Sequence, residues 1–316
     1  MNYRQLGKYG IKVSEVSLGG WLTHGRTLSD DLTATIVKKS FDLGINFFDT
    51  ADVYNQGKAE TSLGKAIRRL PRHELVIATK CFFPMSESPN DQGLSRKHIF
   101  ESVHGSLKRL KVDYIDLFQF HRLDPATPLE ETIRAIDDLI RQGKILYWGT
   151  SMWPTASLTE ACHIAKQWRC CLPVSNQPRY NMLDRGIEKS IIPVSEKLGI
   201  GQVVFSPLAQ GVLSGKYKPG KKPVEGSRAS DDKSNMFMRE DLSEESLRKV
   251  AQISALAKEA KLTTSQFALA WCLRKSNVSS VIVGATSVEQ ITENAGASGA
   301  NVPQEFWDKV EALLNS

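Results

Sequence analysis

Asp49, Tyr54, Lys80 and His121 are the side chains whose types and spacing point most directly to chemistry. Three of them close short apolar runs: Phe47-Phe48 before Asp49, Ile77-Ala78-Thr79 before Lys80, and Phe118-Gln119-Phe120 before His121. Tyr54 follows Asp49 after one short loop. A tyrosine alone is a poor proton donor at neutral pH, because its phenol titrates near ~10. A neighbouring ammonium favours the phenolate, so Lys80 is expected to lower that value and bring the Tyr54 proton within reach. Asp49 would hold Lys80 in place and keep it charged, while His121 would hydrogen-bond the same substrate oxygen. Together the four make a proton-donating site for an oxygen that becomes negative during reaction, as hydride reduction of a carbonyl requires. Each has a structural reading when judged alone: Asp49 as a helix cap, Lys80 as a snorkelling surface residue. An acid, an amine and an imidazole on successive strand ends favour the chemical one.

Strands must deliver such groups, and eight strand-like runs are present: Glu15–Leu18, Ile45–Asp49, Leu75–Lys80, Tyr114–His121, Ile145–Ser151, Val174–Gln177, Gln202–Ser206 and Ser280–Gly284. Segments of helical period separate them, with Ser29 and Ser95 as caps and Pro128 opening a helix stopped by Gly143. Tyr3–Gln5 and Ile11–Val13 flank a Gly-Lys-Tyr-Gly turn and read as a hairpin. The pattern predicts one α/β domain over residues 1–316, a single (β/α)8 TIM barrel with an N-terminal β-hairpin and a C-terminal helical extension. Active sites of such barrels lie at the C-terminal strand ends. Here those ends carry Gly19-Gly20-Trp21, Asp49, Lys80, His121, Ser151, Gln177, Ser206 and Gly284. The long irregular segment 216–240, rich in Lys, Pro, Gly and Ser, reads as a lid over a bound ligand.

Composition narrows the class. Five cysteines without a CxxC pair argue against a disulfide framework or zinc ribbon, and no HExxH spacing indicates a metal. A net charge of +6 is spread over short runs without interleaved aromatics, so no nucleic-acid partner is expected; a phosphorylated small molecule suits the excess better. No apolar run approaches the roughly 20 residues of a membrane span, and the N-terminus lacks a signal-peptide pattern, so a cytoplasmic location without membrane insertion is expected. GVLSGKY is not a phosphate-binding P-loop: its glycines are one residue too close and Tyr217 replaces the Ser/Thr.

GINFFDTADVYNQGKAE resembles the first signature of the aldo-keto reductases, IATK matches the position of their lysine, and FQFH that of their histidine. The resemblance covers nearly the whole chain, to GATSVEQITENAG, and implies that Asp49, Tyr54, Lys80 and His121 are a catalytic tetrad with Tyr54 as acid. GLSRKHI, ILYWGTS, FSPLAQGVLSGKY and FALAWCLR are similar to the branch that holds potassium-channel β subunits and their bacterial relatives. The resemblance implies an NADP(H) cofactor, with Ser151 and Gln177 on the nicotinamide carboxamide and Phe205 as the plate for its ring. It further implies that Ser206, Leu208, Gln210, Ser214, Lys216, Arg228, Gly284, Thr286, Gln290, Glu293 and Asn294 meet the rest of the cofactor, with Gly20, Trp21 and Asp49 alongside. Lys216 and Arg228 suit the extra phosphate of NADP. Trp21, Tyr54, Phe82, His121 and Trp153 are expected to line the pocket of a small-molecule carbonyl substrate, with His24 and Phe83 nearby. The channel subunits carry an amide where this chain has His121, which favours an active reductase. The alternative is an NADP(H)-binding redox sensor acting on a channel-like membrane partner; a Schiff-base lyase using Lys80 is a third. The branch also makes a homo-oligomer, a tetramer or larger ring, the state to test for.

Overall fold

The computed structural model describes residues 1–223, 227–230, 238 and 240–315. A two-stranded antiparallel hairpin, β1 (Tyr3–Gln5) and β2 (Lys12–Ser14), precedes the barrel. The barrel strands are β3 (Val16–Gly19), β4 (Phe47–Asp49), β5 (Val76–Cys81), β6 (Ile115–Phe120), β7 (Ile145–Ser151), β8 (Ser175–Gln177), β9 (Gly201–Val204) and β10 (Val278–Val283). All pair in parallel with their sequence neighbours, and β10 closes the ring on β3. The expected (β/α)8 barrel is therefore the fold.

Alternation along each strand sorts the side chains, since successive residues face opposite sides. Phe47, Val76, Ala78, Leu117, Val174, Val203 and Ile282 form an inner cluster, while Phe48, Ile77, Phe118 and Phe120 point outward into the helical layer. Leu6 and Val13 of the hairpin segment are fully buried in the inner cluster and plug the end of the barrel opposite the strand C-termini.

The helices are α1 (Asp30–Asp42), α2 (Lys58–Ile67), α3 (Arg96–Leu110), α4 (Leu129–Arg141), α5 (Thr155–Gln167), α6 (Ile191–Leu198), α7 (Glu244–Glu259), α8 (Thr264–Leu273), α9 (Val288–Ala295) and α10 (Gln304–Leu314). Ser29 and Ser95 cap α1 and α3 as expected, each accepting a backbone N–H three residues on. The sequence reading did not single out α2, which begins at a left-handed Gly57 with no side-chain cap. Of the expected lid 216–240, residues 224–226, 231–237 and 239 lie outside the described residues. Its described part includes a buried Tyr217 and a short helical turn at Arg228–Ser230.

Candidate active site

The parallel register puts the ends of β4, β5 and β6 side by side, pairing Asp49 with Ala78 and Lys80 with Gln119. Lys80 points inward and is fully buried, with its ammonium 2.6 Å from Asp49 Oδ2 and 2.7 Å from the Thr50 carbonyl. Its third contact is the Tyr54 hydroxyl at 3.4 Å. The turn after Asp49 makes this possible: Asp52 N–H donates to the Lys80 carbonyl, and Tyr54 N–H to that of Ala51. Asn55 and Gln56 then take left-handed backbone angles. The His121 ring stands edge-on to Tyr54, with centroids 5.6 Å apart. All four predicted catalytic residues converge on one point.

Two amides lock the acid. Gln177 Nε2 donates to Asp49 Oδ1 at 2.9 Å, and Gln119 Nε2 reaches the same oxygen at 3.4 Å. Gln177, expected to meet the nicotinamide carboxamide, is thus committed to Asp49 through its Nε2, and Gln119 was not singled out from sequence. Ser151 Oγ donates to the Gln177 carbonyl at 3.0 Å, which joins the ends of β7 and β8.

Burial opposes the charge on Lys80, but Asp49 and Tyr54 outweigh it, so its pKa is raised and the ammonium persists. For Tyr54 the expected direction is corrected. Burial is the largest influence and raises the phenol pKa; Lys80 pulls it down but does not prevail, and Asp49 adds to the rise. The ring keeps some accessible surface, yet its densely packed surroundings remove the water that would solvate a phenolate. His121 is driven well below the usual imidazole range by burial, then by Lys80 and Arg122, and is neutral at physiological pH. Its Nδ1 is sealed without a partner.

Trp21 lies 6.5 Å from the Tyr54 ring, Phe83 stands edge-on to His121 at 5.0 Å, and Phe82 packs on Phe83. These aromatics wall the mouth. Trp153 is not brought there: fully buried, it stacks on Phe120, which faces the outer helical layer. Pro154, before the first residue of α5, starts the outer helix directly after Trp153, which commits the ring to that layer. Gly20 has no room for a Cβ, because the buried ring of His24 fills that space.

The remaining predicted cofactor residues gather beyond β7–β10. Phe205 follows β9, partly exposed against the inner cluster. Ser206, Ala209, Gln210 and Gly211 then take positive φ, a run that curls the loop around Leu208 toward Ser214 and exposed Lys216. Arg228 is bonded to Gln210 Oε1, and Gln210 Nε2 to Ser206 Oγ. Across from it, Gly284 has nothing within 4 Å of where a Cβ would be. Thr286 donates its backbone N–H to Gln290 at 2.8 Å at the start of α9; Glu293 accepts from Thr263, and Asn294 is buried. An open glycine at Gly284, the Ser206 and Ser214 hydroxyls, and the cations Lys216 and Arg228 are groups whose chemistry fits a phosphorylated dinucleotide.

Sequence reasoning also passed over a buried cluster behind the tetrad. Glu60 accepts from Arg109 at 2.5 Å and from Thr79 at 2.6 Å, and Asp52 accepts from Ser102 at 2.8 Å. Burial, then Glu60, raises the Asp52 pKa to about 7. The carboxylates following Asp49 in the opening signature were the available signal.

A family model described as "Aldo/keto reductase family" matches residues 15–315. A "Probable voltage-gated potassium channel subunit beta" of Arabidopsis thaliana is 45% identical, covering 100% of this chain and 97% of that protein. A "Putative voltage-gated potassium channel subunit beta" of Schizosaccharomyces pombe is 44% identical, over 99% and 93%. One of Oryza sativa subsp. japonica, also named as probable, is 42% identical over 100% and 97%. No described helix is long and apolar enough to cross a membrane.

Proposed function

The chain belongs to the aldo/keto reductase family of oxidoreductases, and on that premise we propose that it is an NADPH-dependent reductase of aldehydes, with ketones as a second substrate class. The observation that carries this reading is the buried Lys80 ammonium shared between Asp49 at 2.6 Å and the Tyr54 hydroxyl at 3.4 Å. Bound NADPH would supply the hydride. Every other part of the step is the work of this chain's side chains.

Tyr54 keeps its proton in the resting site because burial raises its pKa. A carbonyl oxygen that gains negative charge becomes a far stronger base than the phenolate, so the proton moves to it only as the reaction proceeds. Lys80 stabilises the phenolate left behind, and Asp49 with its two amide donors fixes Lys80. Neutral His121 orients the oxygen by hydrogen bonding rather than by charge. Ser151, Gln177 and Phe205 are proposed to hold the nicotinamide, and Lys216 with Arg228 the phosphate specific to NADP.

NADPH consumption with an activated aromatic aldehyde tests the reading, wild type beside Tyr54→Phe. The variant should bind cofactor normally and lose most turnover, at least ~100-fold; full activity without the hydroxyl would refute the role. The names of the related channel subunits favour a second reading, a cofactor-binding sensor in a homo-oligomer with a membrane partner. Tight NADPH binding without turnover by the wild type would support it.

A further inference from the structure

We propose that Arg122 is a specificity-determining residue, and that the substrates it selects are carbonyl compounds bearing a carboxylate. The inference rests on the reductase reading and names its substrate class. Arg122 directly follows His121 at the end of β6 and is half-buried. One guanidinium N–H donates to the His121 carbonyl at 2.6 Å, and the group lies 5.5 Å over the Phe83 ring. Phe83 in turn stands against His121, and His121 against Tyr54. The cation is therefore fixed on the wall where a substrate must pass or rest.

Its charge has no carboxylate counter-charge among the described residues. Apart from Arg228, already proposed for the cofactor phosphate, comparable half-buried arginines are paired: Arg72 with Asp116, Arg109 with Glu60, Arg274 with Glu311. Arg122 makes no ion pair with any described carboxylate, and the His121 carbonyl is the one hydrogen-bond acceptor of its side chain among the described residues. A guanidinium held by one edge and stacked on an aromatic presents its other edge as a fork, the geometry that takes a carboxylate by two parallel bonds. The charge is also felt at the reacting groups: after burial, the largest influence on each, Arg122 joins Lys80 in pulling the Tyr54 phenol pKa down and in keeping His121 neutral.

Position separates this cation from those proposed for the cofactor. Arg122 stands on the arc of β4, β5 and β6 that carries the tetrad, whereas Lys216, Arg228 and Thr286 lie beyond β9 and β10. Cofactor phosphate and substrate carboxylate would then occupy different arcs of the rim.

The test compares 4-carboxybenzaldehyde with its methyl ester, near-isosteres that differ in one charge, for wild type, Arg122→Leu, Arg122→Gln and Arg122→Lys. Their ratio of kcat/KM is the readout, because removing Arg122 alters the field at Tyr54 and His121 for both substrates alike. Wild type should prefer the acid by roughly 10- to 100-fold, carried mainly by KM. Leu and Gln should bring the ratio to about one, and Lys should retain part of it. A wild type without preference, or a preference unchanged in Leu and Gln, overturns the proposal. If the wild type reduces neither aldehyde, the reductase reading fails, and calorimetry of 4-(hydroxymethyl)benzoate against its methyl ester decides for Arg122. Binding of the acid that disappears with the arginine supports the carboxylate site; binding indifferent to Arg122, or none, overturns it.

Discussion

Replacing Lys80 by Met removes the cation from the most deeply buried ion pair of the site while keeping the length of the side chain. The pair is 2.6 Å apart, with Lys80 fully buried and Asp49 at 4% exposure. At that separation the Coulomb attraction is about 6 kcal/mol at an effective dielectric near ~20. Desolvation of both ions cancels part of it, and removal of one partner from a buried pair typically costs about 3–5 kcal/mol. Gln177 and Gln119 still donate to Asp49 in the variant, which places the expected loss within that range rather than above it. For 316 residues the entropy of unfolding, at roughly 2.1 cal/mol/K per residue, makes the loss a fall in melting temperature of roughly 5–8 °C. Asp49→Asn alone should fall comparably, because it strands the ammonium. The Asp49→Asn/Lys80→Met double variant should melt no lower than either single one, since neither charge is left unpaired. Differential scanning calorimetry of the four proteins at one scan rate measures this. Additive losses in the double variant, or a Lys80→Met protein within 2 °C of wild type, would refute the claim that the pair is one electrostatic unit.

Asp52 should make stability depend on pH. Its folded pKa of about 7 exceeds the unfolded value, so the folded state holds the proton more tightly and stability falls as pH rises from ~4 to ~7. Asp52→Asn is expected to melt several degrees above wild type at pH 8, with the gap narrowing by pH 5.5; an equal gap at both pH values would remove Glu60 and burial as the cause. Arg228→Ala should cut the preference for NADPH over NADH by roughly 10- to 100-fold, read as the ratio of cofactor Kd values, and an unchanged ratio would exclude Arg228 from the phosphate site.

The fold was legible because apolar strands and helical segments alternate along the chain, and the convergence of the four predicted catalytic residues because Asp49, Lys80 and His121 stand at the ends of such strands, with Tyr54 one short loop beyond Asp49. Helix α2 escaped because Gly57 starts it without a capping side chain and Gly64 interrupts it. That glycine is a packing device: a Cβ there would meet the Leu110 carbonyl at 2.5 Å, a demand set by α3 that no local pattern reveals. The direction of the Tyr54 pKa was misjudged because a sequence shows which charges are near but not how much water is excluded. Trp153 followed a strand end and was assigned to the mouth, whereas the start of α5 commits it to the outer layer. Arg122 stood beside a predicted catalytic residue and drew no notice, since only the structure shows that its charge meets no described carboxylate.

The hairpin plug has a consequence for the order in which the molecule can be made. Ser280 Oγ donates to the Ser14 carbonyl, Ser279 Oγ to that of Gln5, and Val281 N–H to that of Glu15. The hairpin thus finds these partners 266 and 274 residues further along the chain. Strand β3 likewise waits for β10, so the growing sheet carries a free edge until Val278–Val283 has been made. Such long-range closure is slow by topology. A chain halted before Val278 would not be a smaller barrel but an open sheet with two adhesive edges, a substrate for chaperones or for aggregation.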